Sequence, residues 1–246
     1  MPVFFVSTHS ISANNITIDG PLFGHLIKSL RFREGDNLVV CDETRNRYYL
    51  KIQTVTKNQL EGEILKFEHG PPLPGTKIVL GQAILKGEHM TWAIQKTTEL
   101  GVSTIVPLLT KRVIIRPKAG RYQSLQERYS RIALDAAQQS ERWEVPEVLP
   151  PTPWHNFLEK FGQATICCIL IERETLPGLN SLPLDNDSKG TVVLAVGPEG
   201  GWTTDEQEQG QQFNLTPISL GTSVLRGETA PLAALSILQS RLGKLG

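Results

Sequence analysis

From Lys77 to the end of the chain, unbroken apolar runs alternate with helical patterns, and few folds accommodate that alternation. "KIVLGQAIL", "STIVPLLT", "TICCILIE", "TVVLAVGP" and "TPISLG" are short and apolar throughout, as strands buried on both faces must be. Between and after them, "HMTWAIQKTTELG", "GRYQSLQERYSRIALDAAQQSER", "PWHNFLEKFG", "TDEQEQGQQFN" and "TAPLAALSILQSRL" read as helices. In the longest, Leu125, Tyr129, Ile132, Ala133 and Ala136 recur on one face at helical spacing. Gly101 suits the residue after a helix end, and Pro231 fits only a helix's first turn. The expected class is α/β, with a mostly parallel sheet covered on both faces by helices.

The first seventy residues have another texture. "PVFFVS", "DNLVVCDE", "RYYLKIQTVT" and "QLEGEILKFE" are closely spaced strand patterns, with "GPLFGHLIKSLRF" as a short helix between the first two. "HGPPLPGTK" follows, with three prolines and two glycines in nine residues, and reads as a linker. The expected division is a small β domain over 1–73 and an α/β domain over 74–246.

Charge is distributed unevenly. Residues 1–76 carry eight Lys/Arg and eight Asp/Glu, residues 77–142 eleven and five, and residues 143–246 six and twelve. The neutral total therefore hides a basic middle and an acidic last third, an asymmetry that points toward a polyanion partner. The densest basic stretch holds Lys111, Arg112, Arg116, Lys118, Arg121, Arg128 and Arg131 against Glu127. It is either a solvated face or a phosphate-contacting patch. Three cysteines and five scattered histidines give no disulfide framework and no metal-ligand spacing, so no metal is expected. "MPVFFVSTHS" does not read as a signal peptide and "ICCILI" is too short to span a bilayer, so a cytosolic, membrane-free location is expected.

Two phrases carry the chemistry. In "VVLAVGPEGGWTTDE" a strand runs into Gly197-Pro198-Glu199-Gly200-Gly201, and Thr203 to Glu206 form a capping box for the next helix. Ligands of parallel sheets sit beyond the carboxyl ends of strands, and glycines let backbone approach them. The spacing fits neither a dinucleotide fingerprint nor a Walker A loop. In "ISLGTSVLRGETAPLAALSILQ" another strand ends at Leu220-Gly221, before a loop with Arg226, Glu228 and Thr229. A third loop, from "CCILIERETLPG", leaves its strand near Glu172. Acidic surroundings suit a cationic ligand better than a phosphate.

"GPEGGW" followed by "LGTSVLRGETA" resembles the paired signature of the SPOUT superfamily of RNA methyltransferases, and most closely the RsmE family, which methylates N3 of a uridine in 16S ribosomal RNA. "HLIKSLRFREGD", "AIQKTTELGVSTIVPLLTKRV" and "RIALDAAQQSERWEVPEV" are also similar to that family, so the resemblance covers nearly the whole chain. It implies a PUA-like β-barrel RNA-binding domain, then a SPOUT domain ending in a trefoil knot, working as a homodimer on 16S rRNA or the small ribosomal subunit. The knot comes from the resemblance alone. The implied cofactor is S-adenosylmethionine, held by Leu170, Ile171 and Glu172, by Gly197, Pro198, Gly200 and Gly201, and by Leu220, Gly221, Val224 and Leu225. Thr222-Ser223 stand where many relatives have a second basic residue.

Methylation of uracil N3 needs positioning and stabilisation of negative charge on the flanking carbonyls. Arg226 is the first candidate for that stabilisation, against a structural pair with Glu228 or Glu199. Glu199 is a candidate general base, against a loop-holding role. Lys28, Arg31, Arg33, Arg112 and Arg116 are candidates for RNA contact, against solvated faces. Trp92, Cys167 and Cys168 are expected in the core. Two rival functions share these loops: a SPOUT enzyme with another target such as a ribose 2′-OH, or a non-catalytic ribosome-assembly factor.

Overall fold

Alternation of inward and outward side chains builds the first unit, Met1–Pro72 together with Ala137–Glu144. The computed structural model describes residues 2–72, 75–172, 175–185 and 187–245. The unit's strands are β1 (Phe4–Phe5), β2 (Asn15–Asp19), β3 (Asn37–Cys41), β4 (Asn46–Val55) and β5 (Gln59–His69). They form one sheet in the order β1-β3-β4-β5-β2, antiparallel except for β1 against β3. Phe4, Ile16, Leu38, Val40, Leu50 and Leu60 fill its core.

Strand β2 was not legible beforehand. Its inward face consists of only two residues, Ile16 and Ile18, flanked by asparagines and an Asp-Gly pair that signal turns. The short helix α1 (Gly20–Gly24) runs into a single π turn, His25–Ser29. Arg31, at φ 61, then turns the chain, and the Phe32 N–H donates to the Leu26 carbonyl at 3.1 Å.

The sequence places everything after residue 73 in one domain, but Ala137–Glu144 belong with the first unit. The Arg47 guanidinium lies 3.9 Å from the centre of the Trp143 ring and donates to the Glu141 carbonyl at 2.8 Å. The Val3 N–H donates to the Gln138 carbonyl, and the Cys41 thiol to that of Trp143. Leu73 and Pro74, at the expected boundary, lie outside the described residues, as do Arg173 and Glu174 of the third loop.

The second unit, Leu73–Ala136 with Val145–Gly246, is the expected alternation of strand and helix. In order it holds β6 (Thr76–Ala83), α2 (Glu88–Glu99), β7 (Thr104–Leu109), α3 (Tyr122–Gln139, whose last residues fall in the first unit), β8 (Glu147–Val148), β9 (Thr152–Pro153) and α4 (Trp154–Phe161). Then come β10 (Ile166–Leu170), β11 (Gly190–Val196), α5 (Thr204–Gln212), β12 (Thr216–Ile218) and α6 (Thr229–Arg241). The sheet runs β12-β10-β11-β6-β7-β8, with β9 also on β7, and its pairings are parallel. Separate apolar clusters cover its two faces, one containing α2 and α6, the other α4. Cys167 and Cys168 are buried in these clusters, whereas Trp92, expected in the core, is 43% exposed.

Helix α6 is fixed by polar side chains. Arg241 donates to the carbonyls of Leu179, Leu182 and Leu184, and Gln239 to that of Leu100. Gly178 bridges Ser219 in parallel, so the chain beyond β12 is held against the connection between β10 and β11.

Sheet and helix meet closely at Gly81 on β6. A Cβ there would stand 2.5 Å from the Phe157 ring and 3.1 Å from Leu108. Phe157 is fully buried and cannot swing aside. Gly81→Ala is therefore expected to cost about 1–3 kcal/mol, seen as a lower urea midpoint with unchanged slope.

Candidate active site

Strands β12, β10, β11 and β6 are neighbours in that order, and the segments leaving their carboxyl ends border one cavity of about 570 Å³. Its size is that of a small-molecule site. Leu170, Ile171 and Glu172 line it from β10; Gly197, Pro198, Glu199, Gly201 and Trp202 from β11. Ser219 to Gly221 and Ser223 to Glu228 line it from β12, and His89, at the start of α2, from β6. Buried Leu170, Ile171 and Val196 supply apolar wall. Three carboxylates, Glu172, Glu199 and Glu228, share it with two arginines, Arg112 and Arg226. An apolar cleft edged by carboxylates suits a ligand with a flat, apolar part and a cationic part.

The walls are braced from behind. The Trp202 indole N–H donates to the Leu170 carbonyl at 3.0 Å, tying the β11 loop to the end of β10. Its ring lies so close to Gly197 that a Cβ there would meet Nε1 at 3.0 Å, so any side chain at this position presses on the indole. Thr203 and Glu206 form the expected capping box at the start of α5. Glu206 also accepts the Lys111 N–H at 2.6 Å. Lys111 in turn bonds Asp205, which holds that carboxyl below its usual range. On the β12 side, the Ser219 hydroxyl donates to the Gly221 carbonyl and accepts its N–H. Gly221 itself sits at φ +119, where other side chains are strained.

Nucleophilic cysteine chemistry has no support. Burial pushes the Cys168 thiol up to about 12 and Cys41 up to about 11, so both stay protonated at neutral pH. No cluster able to hold a metal ion occurs among the described residues. No helix among them is long and apolar enough to cross a membrane.

Residues 71–239 match the RNA methyltransferase domain family, and residues 18–65 the RNA methyltransferase PUA domain family. Over 239 residues the chain is 31% identical to the ribosomal RNA small subunit methyltransferase E of Synechocystis, covering 96% of this chain and 77% of that protein. The chain belongs to the ribosomal RNA small subunit methyltransferase E family. The Bacillus subtilis member is 29% identical, with 92% of this chain and 90% of the relative covered. Among solved structures, the Neisseria gonorrhoeae enzyme of that name, bound to S-adenosyl methionine, superimposes with a TM-score of 0.86 at 30% identity, covering 98% and 97% of the two chains.

Within this family frame, the residues singled out from sequence fall into three groups. Leu170, Ile171, Glu172, Gly197, Pro198, Gly201, Leu220, Gly221, Val224 and Leu225 all line the cavity, as do Arg226 and Glu199. Gly200 does not; its carbonyl accepts from Arg112 at 2.9 Å, and a Cβ there would press on the Arg112 side chain. Arg112 also donates to the Trp202 carbonyl, and Arg116 to those of Thr110 and Lys111, so both guanidinium groups brace local backbone. Lys28, Arg31 and Arg33 are exposed on the first unit, and no described residue pairs with their side chains.

The two candidate catalytic groups differ. Glu199 Oε1 accepts the Lys86 N–H at 2.9 Å, fixing the turn between β6 and α2. Arg226 has no hydrogen bond or ion pair from its guanidinium to any described residue, and Glu228 is engaged by His89 instead. Sequence reasoning missed His89, Trp202, Ser219 and Gly227 as lining residues. Trp202 ends the "GPEGGW" phrase and was within reach, but nothing in the sequence joins His89 to Glu228.

Proposed function

We propose that the chain transfers a methyl group from S-adenosylmethionine to N3 of a uridine in 16S ribosomal RNA. The observation that supports this most directly is the cavity itself: both loops of the family's paired signature, with the end of β10, form its walls. Leu170, Ile171, Val196, Leu220 and Leu225 would hold the flat apolar part of the cofactor, and the Glu172 carboxylate its cationic part. When bound, the cofactor supplies an electrophilic methyl group on a sulfonium, so the protein has only to position a nucleophile and manage charge.

Arg226 is assigned to that charge. Its planar fork can meet a uracil carbonyl oxygen as negative charge develops there. Glu199 is assigned to positioning, through the Lys86 N–H. Lys28, Arg31 and Arg33 present unpaired cations for the RNA backbone. A second copy of the chain would find apolar surface at Ile114, Ile115 and Val224, as the implied homodimer needs. Location in the cytoplasm, where ribosomes are assembled, accords with this reading.

Calorimetry with S-adenosylmethionine, followed by mass spectrometry of rRNA nucleosides from a deletion strain, tests the proposal. The expected result is one-to-one binding per chain and loss of 3-methyluridine. Loss of a 2′-O-methyl nucleoside with 3-methyluridine retained would overturn the target, and no cofactor binding would overturn the enzyme.

A further inference from the structure

We propose that His89 accepts the proton from uracil N3, with Glu228 as the residue that positions it. This rests on the methyl-transfer reading above and supplies the base that reading lacks. His89 and Glu228 lie at opposite ends of the second unit's sequence and meet at the cavity, Nδ1 to Oε1 at 3.0 Å. Glu228 is largely buried, its side chain 12% exposed, whereas the imidazole is 49% exposed. The supported carboxylate is thus held inside, and the ring it holds is open to a substrate.

The contact favours one tautomer. A carboxylate beside Nδ1 stabilises the neutral ring that carries its hydrogen there. Nε2 is then left with a free lone pair, and no described residue bonds it. This is the arrangement in which a carboxylate orients a histidine for general-base work.

The ring's mounting is equally determined. His89 is the second residue of α2, just after Gly87 at φ +59, and the turn before it is clamped by Glu199 through the Lys86 N–H. From the other side, the Glu228 backbone forms the N-cap of α6, which packs on α2. Arg226, Glu199, Glu172 and Arg112 share the cavity with the pair, and on α2 itself Glu88 is 3.9 Å from Arg128. Glu199 spends Oε1 on the Lys86 N–H, which ties it to the turn between β6 and α2.

The step balances. The uracil N3–H bond breaks and its proton passes to Nε2 of His89. The nitrogen lone pair forms the new N–CH3 bond while the S–CH3 bond breaks, leaving its electron pair on sulfur. The positive charge that entered on the sulfonium ends on the imidazolium, opposite Glu228, until water removes the proton.

His89→Gln and Glu228→Gln test the assignment, each beside the wild-type protein. In wild type labelled with nitrogen-15 histidine, without cofactor, His89 should show a protonated Nδ1 and a bare Nε2; the opposite tautomer would overturn the proposal. Single-turnover methyl transfer by His89→Gln should fall about 10²–10⁴-fold at neutral pH. That deficit should shrink as pH rises toward ionisation of the uracil imide itself, while S-adenosylmethionine affinity by calorimetry stays within about threefold, a change below about 1 kcal/mol. Glu228→Gln should show a smaller loss with the same pH trend. A wild-type rate in His89→Gln, or a deficit constant across pH, would show that His89 is not the base. If wild type itself neither bound the cofactor nor methylated rRNA, the underlying reading would fail instead.

Discussion

Arg226→Ala is expected to lower the rate of methyl transfer by about 10²–10³-fold, the usual effect of removing one donor aimed at developing negative charge. The guanidinium lies in the cavity wall and no described residue takes up its hydrogen bonds. The two carboxylates that could have claimed it are committed, Glu228 to His89 and Glu199 to the Lys86 N–H. An exposed side chain without partners contributes little to folding, so stability should change by less than about 0.5 kcal/mol. The kinetic pattern discriminates between roles. Loss of kcat with KM retained marks a contact made only in the transition state, whereas a raised KM with kcat retained marks uniform binding, for example to a phosphate. Arg226→Lys keeps the charge but not the planar fork, and should recover only part of the rate. An Arg226→Ala protein with wild-type kcat and KM would remove this residue from the mechanism.

The parts of the fold that were legible are those dictated by one repeated physical requirement. A strand buried on both faces must be apolar throughout, so β6, β7, β10 and β11 stood out, as did the helices that cover them. The capping box at Thr203 and the turn at Gly101, with φ +85, were equally local and equally readable. What escaped depends on partners distant in sequence. The two inward isoleucines of β2 matter only because β5 lies beside them. Ala137–Glu144 join the first unit through Arg47 and Val3, which no periodicity in α3 could announce. The same holds at the site. Glycine-rich turns at strand ends were visible as phrases, but the reason each glycine is there was not. Gly197 yields room to the Trp202 ring, and at Gly227 a Cβ would meet Leu85 at 2.7 Å. Arg112 was readable as a cation and a candidate for RNA contact, yet only the fold shows it donating to the backbone of the loop after β11. Arg241 of α6 reaches the carbonyls of Leu179, Leu182 and Leu184 in the connection before β11, a contact that the apolar pattern of neither segment could announce.

Trp202→Ala should be the most destabilising single change at the site, costing about 3–5 kcal/mol. The indole is almost fully buried and packs on Trp154 with ring centres 4.6 Å apart. Trp154 in turn donates to the Glu206 carbonyl, so truncation loosens the capping box as well as opening a void. Because so large a loss can prevent folding, Trp202→Phe is the more informative variant. It keeps an aromatic ring against Gly197 and Trp154 but removes the N–H, leaving the Leu170 carbonyl without that donor. An orphaned buried acceptor costs about 1–3 kcal/mol. Part of that cost should fall on the cavity, since the lost bond is the tie between the β10 and β11 loops. Trp202→Phe is therefore expected to remain folded by circular dichroism and to bind S-adenosylmethionine more weakly than wild type by calorimetry. Gly197→Ala should reproduce the weaker binding by the opposite route, because its methyl group pushes the intact indole away from Leu170. Full affinity in both variants would mean that the indole bridge sets stability alone and that the cavity's shape is fixed elsewhere.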